Sequence, residues 1–260
     1  MHAEFTFQLA TVYGFLLALA RVSGVVVFVP IPGFSASPDA SRVVLALAIT
    51  VALFPAWPTG SPEDGRALAA GRLLEAIGVE TAYGATLGLA VAFLLEGVQL
   101  AAQVLGLQAG YSYASTVDPT TQADTTTLQL MAQLLAGTLF FAFGFDRQVI
   151  AALAKSLNTA PGRVFPLDGH AIESITHLGT AIFRSGVQLA IPVLALLVLL
   201  DLAFAVLGRL HTQLQLLSLS FSIKMLTALA FLASVLSVYP AVFERAGAIT
   251  FTVMDRVLSP

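Results

Sequence analysis

The 260-residue chain is 57% hydrophobic but only 10% charged, and its mean hydropathy is +0.88. Because soluble domains usually carry about 25% charged residues, this composition excludes a soluble enzyme and predicts an integral membrane protein. The net charge of −3 offers no basic surface for nucleic acid, and the absence of cysteine excludes disulfides, thiolate metal sites and cysteine nucleophiles.

The first apolar segment, residues 9–29, is long enough to cross a bilayer as one helix and carries Arg21 as its only charge. It has some likeness to a signal peptide, but no Lys or Arg precedes it, and Glu4 stands where the positive charge belongs. We therefore expect this helix to be retained. A second, shorter apolar helix is predicted over residues 43–57, where prolines end it.

The middle of the chain is less regular than its beginning. Residues 76–114 are too long for one span and are interrupted by Glu80 and Glu96, so two segments joined near Glu96 are predicted, either two helices or one helix and a re-entrant segment. Further apolar helices are expected over residues 128–157, 187–207 and 216–239, followed by an interfacial amphipathic helix over residues 241–258. The predicted fold is all-α: a polytopic membrane protein with irregular or re-entrant helical hairpins, in a single membrane domain over residues 1–260.

Sequence motifs for catalysis are absent from the chain. It has no GxxxxGK[ST] nucleotide loop, no HExxH motif and no nucleophile elbow. Its four histidines are scattered. No catalytic residue, cofactor or metal site is predicted, and the pattern disfavours an enzyme.

Charges that lie inside the apolar segments include Arg21, Glu96, Asp201 and Lys224. A charge at mid-membrane costs about 2.5–3.5 kcal/mol on insertion scales, so each should face protein or water rather than lipid. Two interpretations stay open. The charges form internal ion pairs or lie near an interface, or they line a polar conduit or a path for a solute.

A polar helix face is formed by Glu96, Gln99 and Gln103, whose spacing places them on one side of a helix. Such a face either joins helices through hydrogen bonds or lines a water-accessible pore. Upstream, Gly84 and Gly88 form a GxxxG pattern, which is typical of close helix packing.

The order of these features along nearly the whole chain resembles the FliR family, membrane components of the flagellar export gate that are related to the T component of virulence type III secretion systems. The most specific stretch is the glycine-rich segment 103–110 followed by Asp118-Pro119. Two departures occur: residues 212–215 replace a frequent Pro-Gln-x-Asn, and Asp146 stands where His is frequent. The other matching positions are Arg21, Gly24, Pro30, Gly33, Phe34, Arg42, Pro55, the run 140–145, Ser156, Pro161, Pro192, Asp201, Gly208, Arg209, Gln213 and Lys224.

The resemblance implies a non-enzymatic subunit of the flagellar type III protein export gate, located in the bacterial inner membrane at the flagellar basal body. Members of this family assemble with FliP-like and FliQ-like subunits into a helical export-gate ring, with FlhB- and FlhA-like proteins as further partners. Unfolded flagellar proteins pass through the channel as substrates. The partners implied are therefore proteins and membrane lipid, with no nucleic acid and no cofactor.

The resemblance also implies a plug for the closed channel, in the loop that follows the glycine-rich helix. Gly, Ser and Pro allow a loop to move and two tyrosines can fill a pore, whereas the alternative is an ordinary turn capped by Asp118. The plug candidates are Gly110, Tyr111, Ser112, Tyr113, Ala114, Ser115, Thr116, Val117, Asp118 and Pro119.

The alternative function for this chain is a small-solute secondary transporter that uses Arg21, Asp201 and Lys224. Such transporters often have two related halves, and the chain shows no such halves.

Overall fold

The computed structural model describes residues 9–29, 39–58, 70–111, 127–159, 169–210, 216–235 and 239–258. Within these ranges the chain forms helices and turns without a strand, which confirms the predicted all-α class. A short 3-10 turn, Phe54–Ala56, follows the second helix. The helices are α1 (Leu9–Phe28), α2 (Asp39–Ala52), α3 (Ala70–Ala109), α4 (Thr127–Ala142), α5 (Phe145–Thr159), α6 (Gly169–Leu210), α7 (Leu216–Val235) and α8 (Tyr239–Leu258).

Three of the described helices are long and apolar enough to cross a membrane, judged by length and composition. They are α1 over Thr11–Phe28, α3 over Gly71–Ala109 and α6 over Ile175–Leu210. Helices α4 and α5 would add a fourth if they form one broken span, and α7 carries a shorter apolar segment, Leu219–Ala230. The described part of the chain thus has the several apolar helices expected of a polytopic membrane protein.

The predicted junction near Glu96 is wrong, because α3 runs unbroken from Ala70 to Ala109. Its 40 residues include no proline, and an isolated carboxylate does not interrupt the backbone hydrogen bonds of a helix. Two glycines of α3, Gly84 and Gly97, are places of close contact with other helices, as shown below.

Two other expected helices have different bounds. The segment 128–157 is two helices, α4 and α5, separated at Gly144, whose φ of +67° ends regular helix. The segment 187–207 is the apolar part of the longer α6, which also accommodates Pro192 in its interior. Hydropathy marks the apolar portion of a helix, whereas its backbone continues through polar residues that also favour helix.

The described helices fall into two compact units. Unit 1 comprises residues 1–92, 144–179 and 248–260, and unit 2 comprises residues 93–143 and 180–247. Helices α3, α6 and α8 each contribute residues to both units. The single membrane domain over residues 1–260 stays a prediction.

Unit 1 is built on a close crossing of α1 and α3 at glycines. A Cβ atom added at Gly24 would lie 2.5 Å from the Thr81 carbonyl oxygen, and one added at Gly88 would lie 2.8 Å from the Val25 carbonyl oxygen. One added at Gly84 would overlap the backbone of α1. The GxxxG pattern therefore allows two backbones to meet, as such patterns do in membrane helices.

A second contact in unit 1 surrounds Trp57, which follows the 3-10 turn. Its indole nitrogen donates to the Thr50 carbonyl at 2.9 Å, and its ring lies 5.3 Å from that of Phe15 in α1. Trp57 also packs on a buried cluster that includes Ala18 of α1 and Leu157 of α5. The end of α2 is thereby fixed against α1.

Unit 2 has its own apolar core, to which α3, α4, α6 and α7 contribute. Helices α3 and α6 approach closely where a Cβ added at Gly97 would lie 2.6 Å from Cγ2 of Ile182, and where one added at Gly186 would meet the Gly97 backbone. The buried core residues are Leu105, Ala109, Leu128, Ala190, Val193, Leu197 and Ala228.

Candidate functional site

Asp201 of α6 is the centre of a polar network in unit 2. Lys224 of α7 donates to both carboxylate oxygens, at 2.8 Å to Oδ1 and 3.2 Å to Oδ2, and the Gln108 amide of α3 donates to Oδ2 at 3.0 Å. Tyr111, which follows α3, donates its hydroxyl to the Met225 carbonyl of α7 at 3.1 Å. We call Gln108, Tyr111, Asp201 and Lys224 the Asp201 network.

Hydrophobic packing sets the positions of these polar groups. Leu105 of α3, Leu197 of α6 and Ala228 of α7 all belong to the buried core of unit 2. Each lies one helical turn from the network residue of its own helix, and residues one turn apart share a helix face. Packing the three apolar faces together therefore brings two donors to one carboxylate.

The two charged members of the network differ in exposure. The Lys224 side chain is 10% exposed, whereas the Asp201 side chain is 42% exposed. Lys224 thus depends on Asp201 for its neutralisation, because a buried ammonium group without a counter-charge is costly. The outer side of the Asp201 carboxylate remains accessible from outside the subunit.

The end of α3 has the geometry of a Schellman motif. Gly110 has φ of +87°, the Gly110 amide donates to the Leu107 carbonyl at 3.2 Å, and the Tyr111 amide donates to the Gly106 carbonyl at 2.9 Å. A glycine adopts this left-handed conformation without steric penalty. The turn directs Tyr111 toward α7, where partial burial raises the pKa of its hydroxyl and keeps it a proton donor.

Replacing Gly110 by alanine should lower the thermal midpoint of the protein more than replacing Gly144 by alanine does. Both glycines have positive φ, so each alanine costs about 1–2 kcal/mol of backbone strain. At Gly110 the new Cβ would also lie 2.6 Å from Cδ1 of Phe221, whereas at Gly144 no atom lies within 4 Å. The thermal midpoint of the detergent-extracted protein measures both effects, and equal midpoints would contradict the Phe221 contact.

Arg21 has a separate setting in unit 1. Its Nε donates to Oε2 of Glu80 in α3 at 2.5 Å, and both side chains are fully buried. The guanidinium carbon also lies 4.7 Å from the centre of the Tyr83 ring, a cation–π distance. Of the two interpretations of the intramembrane charges, the structure realises ion pairing: Arg21 with Glu80, and Lys224 with Asp201.

The three residues of the predicted polar face of α3 differ in their burial. Gln99 is buried and donates to Oε1 of Glu96 at 3.2 Å, whereas Glu96 and Gln103 are exposed. Both interpretations of this face, helix contact and pore lining, stay predictions. Of the predicted plug segment, Gly110 and Tyr111 are described, and residues 112–119 lie outside the described residues.

Sequence reasoning missed three residues of these sites: Glu80, Tyr83 and Gln108. Glu80 and Gln108 are polar residues within an apolar run, and this is the only sequence feature that points to them. A contact between two helices leaves no spacing pattern in a single sequence, so their partners could not be predicted. Among the described residues, no group of three His, Asp or Glu side chains could hold a metal ion.

Comparison with known proteins gives one family and several relatives. A family model described as bacterial export proteins, family 1, matches residues 12–248. The flagellar biosynthetic protein FliR of Escherichia coli K12 is 27% identical over 241 residues, covering 93% of this chain and 91% of that protein. The FliR proteins of Caulobacter vibrioides (26% identity, 87% of this chain and 89% of that protein) and Bacillus subtilis (24%, 94% and 94%) match similarly. The family match runs from α1 into α8 and covers both charged pairs.

Proposed function

This chain belongs to the bacterial export proteins, family 1, and on that premise we propose that it is a membrane subunit of a flagellar protein export apparatus. The observation that carries the proposal is the nearly full-length match to flagellar biosynthetic proteins from several bacteria. The apolar helices α1, α3 and α6 supply the membrane location that such a subunit needs. Its role there is structural, forming part of the path of exported proteins rather than catalysing a reaction.

The proposal also covers the location of the subunit in the cell and the proteins with which it assembles. We place the subunit in the bacterial inner membrane at the flagellar basal body, in a hetero-oligomeric gate ring with FliP-like and FliQ-like subunits, and with FlhA- and FlhB-like proteins nearby. The surface of α6 supports such an assembly. Only 18% of its apolar window is buried within the chain, so most of it is left for lipid or for neighbouring subunits.

Within this gate, we assign the segment 110–119 to plugging the closed channel, and Glu96, Gln99 and Gln103 to a polar face at a subunit contact or at the pore. The described start of that segment supports the first assignment. Tyr111 and Gly110 both contact α7, so the segment leaves α3 from a fixed point. A plug must return to the same place each time the channel closes, and a fixed attachment of its first residues to α7 favours this.

The solute-transporter alternative is not retained. It requires Arg21, Asp201 and Lys224 to act on a solute, yet Arg21 and Lys224 each have a carboxylate partner within their own unit. No feature of the described residues or of the relatives favours it.

Deleting the gene from its host should abolish secretion of flagellar proteins and assembly of filaments, and the wild-type gene supplied in trans should restore both. The measurement is the amount of flagellar protein in the culture medium, with an empty vector as the control. Filaments and secretion that persist after deletion would contradict an export role.

The same complemented strain tests the partner assignment. Native mass spectrometry of the tagged protein, extracted gently from the host membrane, should find it bound to several copies of FliP-like and FliQ-like subunits. A monomer or simple homodimer would overturn the hetero-oligomeric gate while leaving the secretion result in place.

A further inference from the structure

We propose that the surface of α6 beside Asp201 binds an apolar helix of a neighbouring membrane subunit, and that this helix donates one hydrogen bond to the Asp201 carboxylate from an uncharged side chain. The donor is an amide or a hydroxyl group, as in Asn, Gln, Ser or Thr. The inference rests on the proposed function, because it names the chemistry by which one partner of the export apparatus is recognised.

The first argument is the composition of this surface. Between Ile191 and Leu207 every exposed residue of α6 is apolar, and Asp201 is the only polar residue of the segment. At a rise of 1.5 Å per residue the segment is about 24 Å long, which is most of the thickness of the hydrocarbon core of a bilayer. An apolar surface of this length is covered by lipid or by protein rather than by water.

The second argument is that lipid alone leaves the carboxylate without a partner on its outer side. The Asp201 side chain is 42% exposed, whereas that of its counter-charge Lys224 is 10% exposed. A carboxylate accepts at about four positions, and three are taken, two by Lys224 and one by Gln108. Lipid tails provide no donor for the remaining position, so a polar group of a neighbouring subunit explains the exposed carboxylate where hydrocarbon does not.

The third argument concerns the charge of the donor. Lys224 already neutralises Asp201 across 2.8 Å, so a second cation here would leave one positive charge uncompensated in an apolar setting. An uncharged donor completes the hydrogen bonding of the carboxylate and leaves the pair neutral. Amide and hydroxyl side chains make such bonds between membrane helices, and a helix satisfies its own backbone in hydrocarbon. The partner is therefore an apolar helix with one polar residue at the level of Asp201.

The carboxylate also determines which side of α6 the partner helix contacts. Val198 and Ala205 are exposed and lie about one turn before and after Asp201 on the same face of α6. Ala203 is also exposed, but it is two residues from both Asp201 and Ala205, which is about 200° around the helix. A helix that covers Asp201 therefore contacts Ala205 and does not contact Ala203.

Tryptophan substitutions at these two alanines test the surface. In complemented deletion strains, Ala205→Trp should lower the amount of tagged protein recovered with its partner subunits about tenfold, because the larger side chain occupies the place of the partner helix. Ala203→Trp, the matched control, should leave this recovery at the wild-type level. Both alanines are exposed, so the thermal midpoint of the isolated chain should not change in either variant. Equal recovery of the two variants would overturn the proposal.

A double replacement tests the hydrogen bond itself. Asp201→Leu with Lys224→Met removes the acceptor together with its counter-charge, and the isolated chain should keep its fold because apolar side chains of similar volume replace the pair. Recovery with the partner subunits should fall about tenfold, the effect of losing one hydrogen bond to a charged group. Wild-type recovery of this double variant would also overturn the proposal.

Photo-crosslinking identifies what covers the surface. With p-benzoylphenylalanine in place of Val198, irradiation of the assembled complex should join this position to another subunit, at a site within one helical turn of an Asn, Gln, Ser or Thr residue. Replacing that residue by leucine should lower recovery about tenfold with the wild-type chain and have no further effect with the double variant. Adducts with lipid alone, or with a second copy of this chain, would contradict the proposed partner.

Failure of this inference and failure of the proposed function have different signatures. A wild-type chain that does not restore secretion to the deletion strain refutes the export role. A wild-type chain that restores secretion, while Ala205→Trp and Ala203→Trp behave alike, refutes only the contact at Asp201.

Discussion

Replacing Gly84 by alanine is expected to abolish accumulation of the folded protein, whereas the same replacement at Gly78, six residues earlier in α3, should be tolerated. A methyl group at Gly84 would overlap the carbonyl oxygen of Arg21 and crowd the Cα of Gly24 at 3.1 Å. Both contacts are backbone atoms, which cannot turn aside as a side chain can. Overpacking of this kind costs about 3 kcal/mol or more, a large part of the stability of a folded protein.

Gly78 is the matched control because it lies in the same helix and no atom lies within 4 Å of an added Cβ. Alanine is a better helix former than glycine by about 0.5–1 kcal/mol, so Gly78→Ala should be neutral or slightly stabilising. The measurements are the amount of protein in the membrane fraction and its thermal midpoint after extraction. Equal midpoints for the two variants would show that α1 and α3 do not meet at Gly84.

Replacing either partner of the Arg21–Glu80 pair should destabilise the protein strongly, and replacing both should destabilise it less than either single change. Both side chains are fully buried, so Arg21→Met leaves the Glu80 carboxylate without its counter-charge, at a cost of about 3–5 kcal/mol. Glu80→Met has the converse effect on Arg21. In the double variant two apolar side chains of similar volume can pack together, which removes the uncompensated charge.

A double-mutant cycle on the free energy of unfolding of the extracted protein measures this coupling. The exposed pair Lys155–Asp255, with side chains 55% and 59% exposed, is the control, and Lys155→Gln should change stability by less than about 1 kcal/mol. Additive effects of Arg21→Met and Glu80→Met would mean that the two residues are not coupled.

Hydropathy predicted the start of a helix well where the apolar segment and the helix begin at the same residues. Helices α7 and α8 begin within about two residues of the predicted starts at 216 and 241, in keeping with the usual uncertainty of helix ends. It failed for α6, whose first turns carry polar residues such as Glu173 and His177, because lipid solubility and backbone helicity are different properties.

The candidate sites were predictable only in part. That Asp201 and Lys224 need partners follows from the cost of intramembrane charge, and pairing was one of the two interpretations. The partner of Arg21 was not predictable, because Glu80 is 59 residues away and the contact depends on how α1 crosses α3. The crossing in turn depends on Gly24 and Gly84. The GxxxG pattern at Gly84 and Gly88 predicts a close helix contact, but it does not say which helix makes that contact.

The membership of α8 in both units has a consequence for how the protein is made. Residues 248–258 are synthesised after α1 to α7, yet they complete the unit to which α1 belongs. Phe251 packs on Phe145 of α5 at 5.4 Å between ring centres, and Asp255 reaches Lys155. Until residues 248–258 have been synthesised, the face of α5 that carries Phe145 and Lys155 is not covered by α8. Folding of unit 1 can therefore be completed only after the end of α8 has been made.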